Sequence, residues 1–322
     1  MPFSVRRLQD HPIIHRGMSA SLGDNINGPS MIRVPDWVTN PLGLYYLYFA
    51  HHDGRSIRLA YSDEVTGPWS IYEPGALKIE HSLFPHDRNQ INPTIDQTDH
   101  VASIGVTDYL PHIASPDVLV VPEKQQILMY FHGMLEDGNQ KTRLALSNDG
   151  LAFQPQPELF DHYYYRVFEY EGWVWAISWG GYLFRAPDWG GPFERGQKIL
   201  EGEPLSSPGQ ILRHLALMRD GDNLHLFFSR IGDTPEVILH AQILLNRDWA
   251  KWQVRPPLEI LRSESEWEGA LLPIRQSRAG ATYVAEHALR DPCIFSDADG
   301  RTYLLYSGAA EQAIGIVELI GP

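Results

Sequence analysis

The sequence contains only one cysteine, Cys293, among its 322 residues. A single cysteine excludes a disulfide within the chain and any metal site built from a cysteine cluster. The chain also lacks an apolar run close to the roughly 18 residues that a membrane-spanning helix needs. Its first residues show no apolar segment typical of a secretion signal. We therefore expect a cytoplasmic protein that does not bind membranes.

Positive charge is scarce in this chain. Twenty-six Lys and Arg residues stand against 40 Asp and Glu residues, which gives a formal net charge of −14. A protein that binds the phosphate backbone of nucleic acids needs a basic face, so we do not expect a nucleic-acid partner. At 43% hydrophobic and 20% charged residues, the composition is that of a folded protein rather than a disordered chain.

Sustained helical periodicity is also missing. The chain instead combines nine Trp, 15 Tyr and 12 Phe with 27 Gly and 24 Pro. Aromatic residues favour strands, and Gly and Pro favour tight turns. This mixture predicts many short strands joined by short loops, which is an all-β protein.

One pattern of strands repeats five times along the chain. A short aromatic and aliphatic run recurs at 45–50, 127–132, 173–178, 224–229 and 303–307. A second strand follows each run, and two of these second strands contain the nearly identical sequences RLAYS and RLALS. Another strand precedes each run, with starts near 28, 115, 165, 213 and 290. Repeated units of three or four strands predict a five-bladed β-propeller with four-stranded antiparallel blades around a central funnel.

We predict that residues 1–322 form a single propeller domain. The predicted blades lie near 28–73, 114–160, 164–201, 212–262 and 288–322, and the predicted rim insertions cover 74–113 and 262–289. The last blade has only three strands in the sequence. We expect the N-terminal segment to supply its fourth strand and to close the ring.

Polar residues cluster where the first strands begin and the second strands end, which is the mouth of the funnel in a propeller. Hydroxyl groups of sugars require hydrogen bonds and sugar rings favour aromatic surfaces, so these residues predict an oligosaccharide ligand. The candidate substrate-binding residues are Asn27, His51, His52, His132, Tyr165, Arg166, Trp179, His214, Arg230 and Arg290.

Four segments of the sequence carry a resemblance to a known family. They read GPSMIRVPDW in blade 1, SPDVLVVPEKQQILMYFHG in blade 2, and WEGALLP followed by RDPCIFSDADGRTYLLYSG at blade 5. With these motifs the chain resembles the five-bladed propeller glycosidases, the family 43 glycoside hydrolases and their relatives. The resemblance implies a carbohydrate-active enzyme that uses carboxyl groups in the pore.

The resemblance also implies roles for individual residues. It assigns Asp117, in Ser-Pro-Asp-Val, the role of an orienting carboxylate, and Glu268, in Trp-Glu-Gly-Ala, that of the general acid. The blade 1 base of the family has no counterpart, because its Asp-Pro-Ser motif corresponds to Gly28-Pro29-Ser30 here. Asp291 holds in blade 5 the place that this base would hold in blade 1. The predicted catalytic residues are therefore Asp117, Glu268 and Asp291.

Three functions are compatible with these residues. The first is an exo-acting glycoside hydrolase on a small oligosaccharide, since hydrolysis needs two carboxyl groups across the scissile bond. The second is a lyase, in which Arg would neutralise a uronate while His or Tyr abstracts a proton. The third is a sugar-binding propeller without catalysis. We expect no required cofactor, although the relatives allow a channel cation such as Ca²⁺ near His214 or His287.

Overall fold

The computed structural model of the protein describes residues 3–52, 54–93, 109–200 and 210–321. Residues 94–108 of the predicted insertion 74–113 lie outside the described residues, as do residue 201 of the third predicted blade and residue 322 of the last. Across the described ranges, no helix is long and apolar enough to cross a membrane.

The described chain forms five antiparallel sheets in succession, which confirms the predicted all-β, five-bladed propeller. Blade 1 comprises β3 (Asn27–Arg33), β4 (Tyr45–Ala50), β5 (Ser56–Ser62) and β6 (Ser70–Lys78). Blade 2 comprises β7 (Ile113–Val121), β8 (Gln126–Met134), β9 (Gln140–Ser147) and β10 (Gln154–Pro155). Blade 3 comprises β11 (Arg166–Tyr170), β12 (Trp173–Ile177), β13 (Tyr182–Ala186) and β14 (Glu194–Lys198). Blade 4 comprises β15 (Ile211–Asp220), β16 (Asn223–Ile231), β17 (Ile238–Leu244) and β18 (Leu258–Leu261).

Blade 5 joins the two ends of the described chain. Its strands are β19 (Arg290–Ser296), β20 (Thr302–Gly308), β21 (Ala313–Ile320) and the N-terminal β1 (Ser4–Arg7), which pairs antiparallel with β21. The short β2 (Ile14–His15) also pairs with β21. The N-terminal segment therefore supplies the fourth strand and closes the ring, as predicted.

Short 3-10 helices occupy several of the connections. They span Arg16–Met18, Ala20–Leu22, Ile79–His81, Arg88–Gln90, Pro122–Lys124, Trp179–Gly181, Trp249–Lys251 and Glu266–Glu268. The helix Glu266–Glu268 lies in the long connection between β18 and β19.

The hydrophobic core lies between the blades rather than at the axis. Five clusters of buried side chains fill the five interfaces between neighbouring blades. Alternate residues of β4 enter different clusters: Tyr45 and Leu47 pack towards blade 5, whereas Tyr46 and Tyr48 pack towards blade 2. The second strand of a blade is thus buried on both faces, because side chains alternate along a strand and each face meets another sheet.

The first strands form the wall of the central channel. Among the described residues, β19 contacts β3, β3 contacts β7, β11 contacts β15, and β15 contacts β19. A hydrogen bond from the Val167 N–H to the Asp117 carboxylate (2.9 Å) joins β7 to β11. Because all first strands run in the same direction around the axis, their first residues meet at one end of the channel.

Candidate active site at the channel mouth

A bulge at the start of the first strand recurs around the mouth. The strand register shifts between Asn27 and Ser30, between Ala114 and Asp117, between Leu212 and Leu215, and between Arg290 and Cys293. Gly28 (59°), Ser115 (52°) and Asp291 (49°) lie in these bulges and have a positive φ, as does Tyr164 (64°), two residues before β11. Left-handed backbone is costly for any residue except glycine and is concentrated at functional sites. The bulges therefore mark the channel mouth as the candidate site.

Asp291 is the carboxyl group among these bulge residues, and it is 1% exposed. Its Oδ1 contacts Nδ1 of His214. Its Oδ2 accepts hydrogen bonds from the Ser307 hydroxyl (3.1 Å) and from the Gly28 N–H (3.4 Å). Asp291 thus connects the bulges of blades 1 and 5 with blade 4, and none of its partners carries a permanent positive charge.

His214 is held between Asp291 and an aromatic ring. The ring of Tyr164 stacks on the imidazole with 4.3 Å between centroids and 7° between planes. Burial and the positive charges of Arg213 and Arg166 lower the pKa of His214 well below its usual range. The imidazole is therefore neutral at pH 7, and Asp291 favours the tautomer whose proton is on Nδ1.

The guanidinium of Arg166 packs on the Tyr164 ring. Its guanidinium lies 4.1 Å from the centre of the Tyr164 ring. It donates to the carbonyl oxygens of Leu215 (3.1 Å), Ser115 (3.2 Å) and Tyr165 (3.1 Å), which belong to different blades. Arg166 is a predicted substrate-binding residue; in the structure it is buried and its guanidinium is engaged by these carbonyl oxygens.

Two buried glutamates compensate the arginines of blades 4 and 5. Glu236 accepts from Nε of Arg213 and from Nε of Arg290, both at 2.8 Å. Arg290 also donates to Glu311 (3.3 Å) and to Glu286 (3.0 Å). Arg290, a predicted substrate-binding residue, is 1% exposed and bound by carboxylates within the protein.

Glu311 is the second carboxyl group near Asp291. It accepts from the amides of Asn25 (2.5 Å) and Asn27 (3.4 Å), and its Oε2 lies 3.6 Å from Nδ1 of His52. Burial by itself raises the pKa of Glu311. The hydrogen bond and charge of His52, together with the charges of Arg290 and Arg213, lower the pKa by more than burial raises it, so the net shift is downward. Glu311 is therefore ionised at neutral pH.

Histidine and aromatic side chains line the opposite side of the mouth. The Trp179 ring stacks on Tyr163 (5.6 Å, 21°), and the ring of His132 lies 5.8 Å from that of Tyr163. Nearer to blade 1, Nε2 of His51 lies 3.6 Å from a carboxylate oxygen of Asp24. These side chains form the aromatic wall of the site.

Arg230 lies at the rim of the mouth in blade 4. It donates to Asp233 (3.0 Å), which also accepts from Gln210 (2.6 Å). Burial raises the pKa of Asp233, against the lowering effect of Arg230 and Gln210. The charge of Arg230 is thus compensated by a neighbouring carboxyl group.

The residues of the mouth do not fit a metal ion held by the protein alone. Within the described ranges, no group of three or more His, Cys, Asp or Glu side chains is arranged to hold one. Of the two histidines considered for a channel cation, His214 contacts Asp291 and His287 Nδ1 lies 3.2 Å from the Leu272 carbonyl oxygen. We assign no catalytic step to a cation.

Glu268 lies away from this cluster. Its carboxylate contacts the Arg7 guanidinium and the Tyr306 hydroxyl, and it accepts from the N–H groups of Glu264 (2.8 Å) and Ser265 (2.9 Å). These partners belong to the closing strand, to the 262–289 loop and to the interface between blades 4 and 5. In the structure the predicted general acid is thus a buried group that fastens β1 to its neighbours, and its catalytic role stays a prediction.

Tyr165, a predicted substrate-binding residue, lies between two blades in the structure. It is 1% exposed and packs against Phe160, Phe184 and Phe193 in the interface between blades 2 and 3. Its neighbour Tyr164, whose ring stacks on His214, faces the channel instead.

Asp117 lies two residues beyond the bulge, inside the channel. Its carboxylate accepts from the Val167 N–H, and burial raises its pKa while Arg166 lowers it. The residue of blade 2 that corresponds to Asp291 is Ser115, not Asp117. Asp117 thus joins two blades and does not meet Asp291.

Sequence reasoning missed Tyr164, Glu236 and Glu311. Tyr164 is the middle residue of the run Tyr163–Tyr165, in which composition cannot separate the three rings. Glu236 and Glu311 lie in connections between strands, where an acidic residue is usually solvated. The signal that could have identified Tyr164 is its register with Gly28, Ser115 and Asp291.

A cavity of about 800 Å³ lies between the outer parts of blades 2 and 3. Its apolar lining includes Leu144, Phe160 and Trp189. The charged residues at its edge are paired, for example Lys124 with Asp188 (2.6 Å). None of the bulge residues lines this cavity, so it is separate from the candidate active site.

Comparison with known proteins gives one relative by sequence. The chain is 31% identical over 332 aligned positions to the uncharacterized protein R118 of Acanthamoeba polyphaga mimivirus, which covers 96% of this chain and 88% of that protein. No protein-family model matches the chain.

Solved structures show the same fold at low sequence identity. CoXyl43, a GH43 β-xylosidase/α-arabinofuranosidase from a compost microbial metagenome, in complex with xylotriose, has a TM-score of 0.61 at 13% identity and covers 99% of this chain and 96% of its own. A GH43_1 enzyme from Xanthomonas citri has a TM-score of 0.58 at 11% identity, with 99% and 91% covered. An N-acetylgalactosamine deacetylase from F. plautii, in complex with blood group B trisaccharide, has a TM-score of 0.55 at 12% identity, with 98% and 95% covered.

Proposed function

The chain belongs to the family of the mimivirus protein R118 and has the fold of the GH43 glycosidases, and from this premise we propose that it is a carbohydrate-active enzyme that hydrolyses a short oligosaccharide at the channel mouth. The observation that carries the proposal is the pair of buried carboxyl groups, Asp291 and Glu311, on one wall of the mouth. Successive residues of β3 bind them, since the Asn27 amide donates to Glu311 and the Gly28 N–H donates to Asp291. Glycoside hydrolysis uses two carboxyl groups across the scissile bond.

The surroundings of these two groups suit different roles. Glu311 is bound by the Arg290 guanidinium and stays ionised, so it is suited to stabilise the positive charge that develops on the sugar ring. Asp291 has only neutral partners at pH 7, namely His214, Ser307 and a backbone N–H. We therefore assign proton transfer to Asp291, with His214 as the group that orients it.

The aromatic wall supports a sugar ligand. Trp179 offers an aromatic ring against which a sugar ring can pack, and His51 and His132 offer nitrogens for its hydroxyl groups. GH43 enzymes of this fold have been crystallised with xylose and with xylotriose, which is consistent with an oligosaccharide substrate. The cytoplasmic location stays a prediction.

The lyase alternative is less well supported by the contacts at the mouth. A lyase needs an arginine that can neutralise a uronate carboxylate, but Arg213 and Arg290 are bound to Glu236 and Arg166 is bound to backbone carbonyls. Arg213 and Arg290 are thus already compensated by a carboxylate, and the N–H groups of Arg166 are engaged by carbonyl oxygens.

Product analysis on a panel of neutral and acidic oligosaccharides tests the proposal. We expect release of a reducing monosaccharide from at least one neutral oligosaccharide, without the ultraviolet absorbance of an unsaturated uronate. Appearance of that absorbance would favour the lyase. Binding without turnover across the panel would favour a sugar-binding propeller.

A further inference from the structure

Tyr164 combines three unusual features at the channel mouth. It is a non-glycine residue with φ of 64°, at the place that Gly28 and Asp291 hold in their own blades. Its ring lies between the imidazole of His214 and the guanidinium of Arg166. Its side chain is 1% exposed. A large aromatic residue in left-handed backbone costs of order 1–3 kcal/mol, and such strain persists where the surrounding structure requires it.

Two buried polar atoms on neighbouring residues lack a hydrogen-bond partner among the described residues. They are the Tyr164 hydroxyl and Nδ1 of His132, whose rings lie 6.1 Å apart. Arg166 is close to Tyr164 but lies over the ring face and makes no hydrogen bond of ordinary geometry with its hydroxyl. Leaving a buried polar group unpaired is costly, so these atoms indicate a place where a polar ligand completes the bonding.

Both atoms belong to groups that are uncharged at neutral pH. Burial raises the pKa of the Tyr164 phenol. Burial and the charges of His112, His52 and Arg166 lower the pKa of His132 well below its usual range. A phenol and a neutral imidazole can each donate or accept one hydrogen bond, as a sugar hydroxyl can. Neither offers a charge to a carboxylate or a phosphate.

The arginines of blades 4 and 5 at the mouth are already paired with carboxylates. Arg213 and Arg290 share Glu236, and Arg290 also binds Glu311 and Glu286. Arg230 binds Asp233. An acidic sugar would therefore bring an uncompensated negative charge to a mouth that holds several carboxylates, whereas a neutral sugar would not.

We propose that Tyr164 and His132 form the hydroxyl-binding subsite of a neutral saccharide, and that the Tyr164 ring positions His214 against Asp291. The inference rests on the proposed function for its choice of ligand class. It extends that function by naming a specificity-determining residue, Tyr164, and by excluding uronate-containing saccharides as the preferred ligands.

Binding measurements test the subsite without requiring turnover. In the Asp291→Asn background, calorimetry is performed with neutral trisaccharides of xylose, arabinose, glucose and galactose, and with trigalacturonate. We expect at least one neutral trisaccharide to bind and trigalacturonate to bind at least roughly tenfold more weakly. Adding Tyr164→Phe removes the hydroxyl while keeping the ring, and we expect it to weaken binding of the neutral trisaccharide by roughly tenfold, as for one lost hydrogen bond.

Tyr165→Phe is the matched control, because Tyr165 is the next residue, is equally buried and also has an unpartnered hydroxyl, yet packs in the interface between blades. We expect it to leave binding unchanged. The subsite would be overturned if Tyr164→Phe and Tyr165→Phe behaved alike, if trigalacturonate bound as tightly as every neutral sugar, or if no neutral trisaccharide bound.

Nuclear magnetic resonance of the imidazole nitrogens tests the positioning role in the otherwise unmodified chain. We expect His214 to show the tautomer protonated on Nδ1 from pH 6 to 8 in the parent protein and in Tyr164→Phe, and to lose it in Tyr164→Leu. An unchanged tautomer in a folded Tyr164→Leu variant would contradict the positioning role. Hydrolysis enters none of these measurements, so a lack of turnover would overturn the proposed function and leave this inference standing.

Discussion

Two buried carboxyl groups, Asp291 and Glu268, show how differently the same side-chain chemistry is used in one propeller. Glu268 is bound by the Arg7 guanidinium, the Tyr306 hydroxyl and two backbone N–H groups, and it fastens the closing strand. Asp291 is bound by neutral groups only and lies at a strained bulge beside a stacked histidine. Burial alone therefore does not identify a reacting carboxyl group; the charge and position of its partners do.

The largest difference between Asp291 and Glu268 is expected in the effect of their substitution on catalytic activity. Asp291→Asn keeps the size of the side chain but removes the proton-transfer group, so we expect kcat/KM to fall by at least about a hundredfold. The thermal unfolding midpoint serves as the control and is expected to change little. Turnover close to that of the parent protein in a folded Asp291→Asn variant would contradict the assignment.

The opposite result is expected for Glu268→Gln. The substitution leaves Arg7 without its carboxylate, and because the Arg7 side chain is partly exposed we expect a loss of about 2 kcal/mol in the free energy of unfolding. Chemical denaturation measures this loss. Turnover per folded molecule is expected to stay within about twofold of the parent value, since Glu268 does not touch the mouth. A Glu268→Gln variant that is stable but inactive would restore it as the general acid.

The sequence was sufficient for the fold but not for the site. Aromatic runs buried on both faces determine the second strands, and their fivefold repetition predicts the propeller. The site depends instead on bulges, which a strand pattern does not reveal, since one extra residue changes which side chain faces the channel. For this reason the sequence predicts Tyr165 rather than Tyr164, and in blade 2 it predicts Asp117 rather than the bulge residue Ser115.

Glu236 and Glu311 were missed for a different reason. Both lie in connections between strands, and their burial results from arginines that reach them from distant parts of the chain. Only the folded ring brings those arginines near. The short motif around Glu268 was misleading because the local sequence pattern does not specify which surface of the propeller the loop covers.

An effect of intermediate size is expected on the free energy of unfolding when the pH is lowered. The pKa of Glu311 is lowered in the folded protein from an ordinary value near 4.5, so its ionised form stabilises the fold above that value. This contribution is expected to disappear progressively as the pH falls below about 4.5. Denaturation curves between pH 6 and pH 3 (chosen to bracket that value) measure the loss, and Glu311→Gln is expected to show a smaller dependence on pH. Equal pH dependence in both proteins would contradict the role of Glu311.

The smallest effect is expected for Asp117→Asn. The asparagine oxygen can still accept the Val167 N–H, and burial already disfavours the charged form of Asp117. We expect a change within about 1 kcal/mol in the free energy of unfolding and no more than about twofold in turnover. A strong loss of turnover with unchanged stability would return Asp117 to the catalytic residues.

A crystal structure of the Asp291→Asn variant with the oligosaccharide that the panel identifies tests the central claim most directly. We expect the sugar at the channel mouth, with the scissile oxygen or the attacking water within hydrogen-bond distance of residue 291 and Glu311 beside the same sugar ring. A sugar bound next to Glu268, or in the cavity between blades 2 and 3, would contradict it.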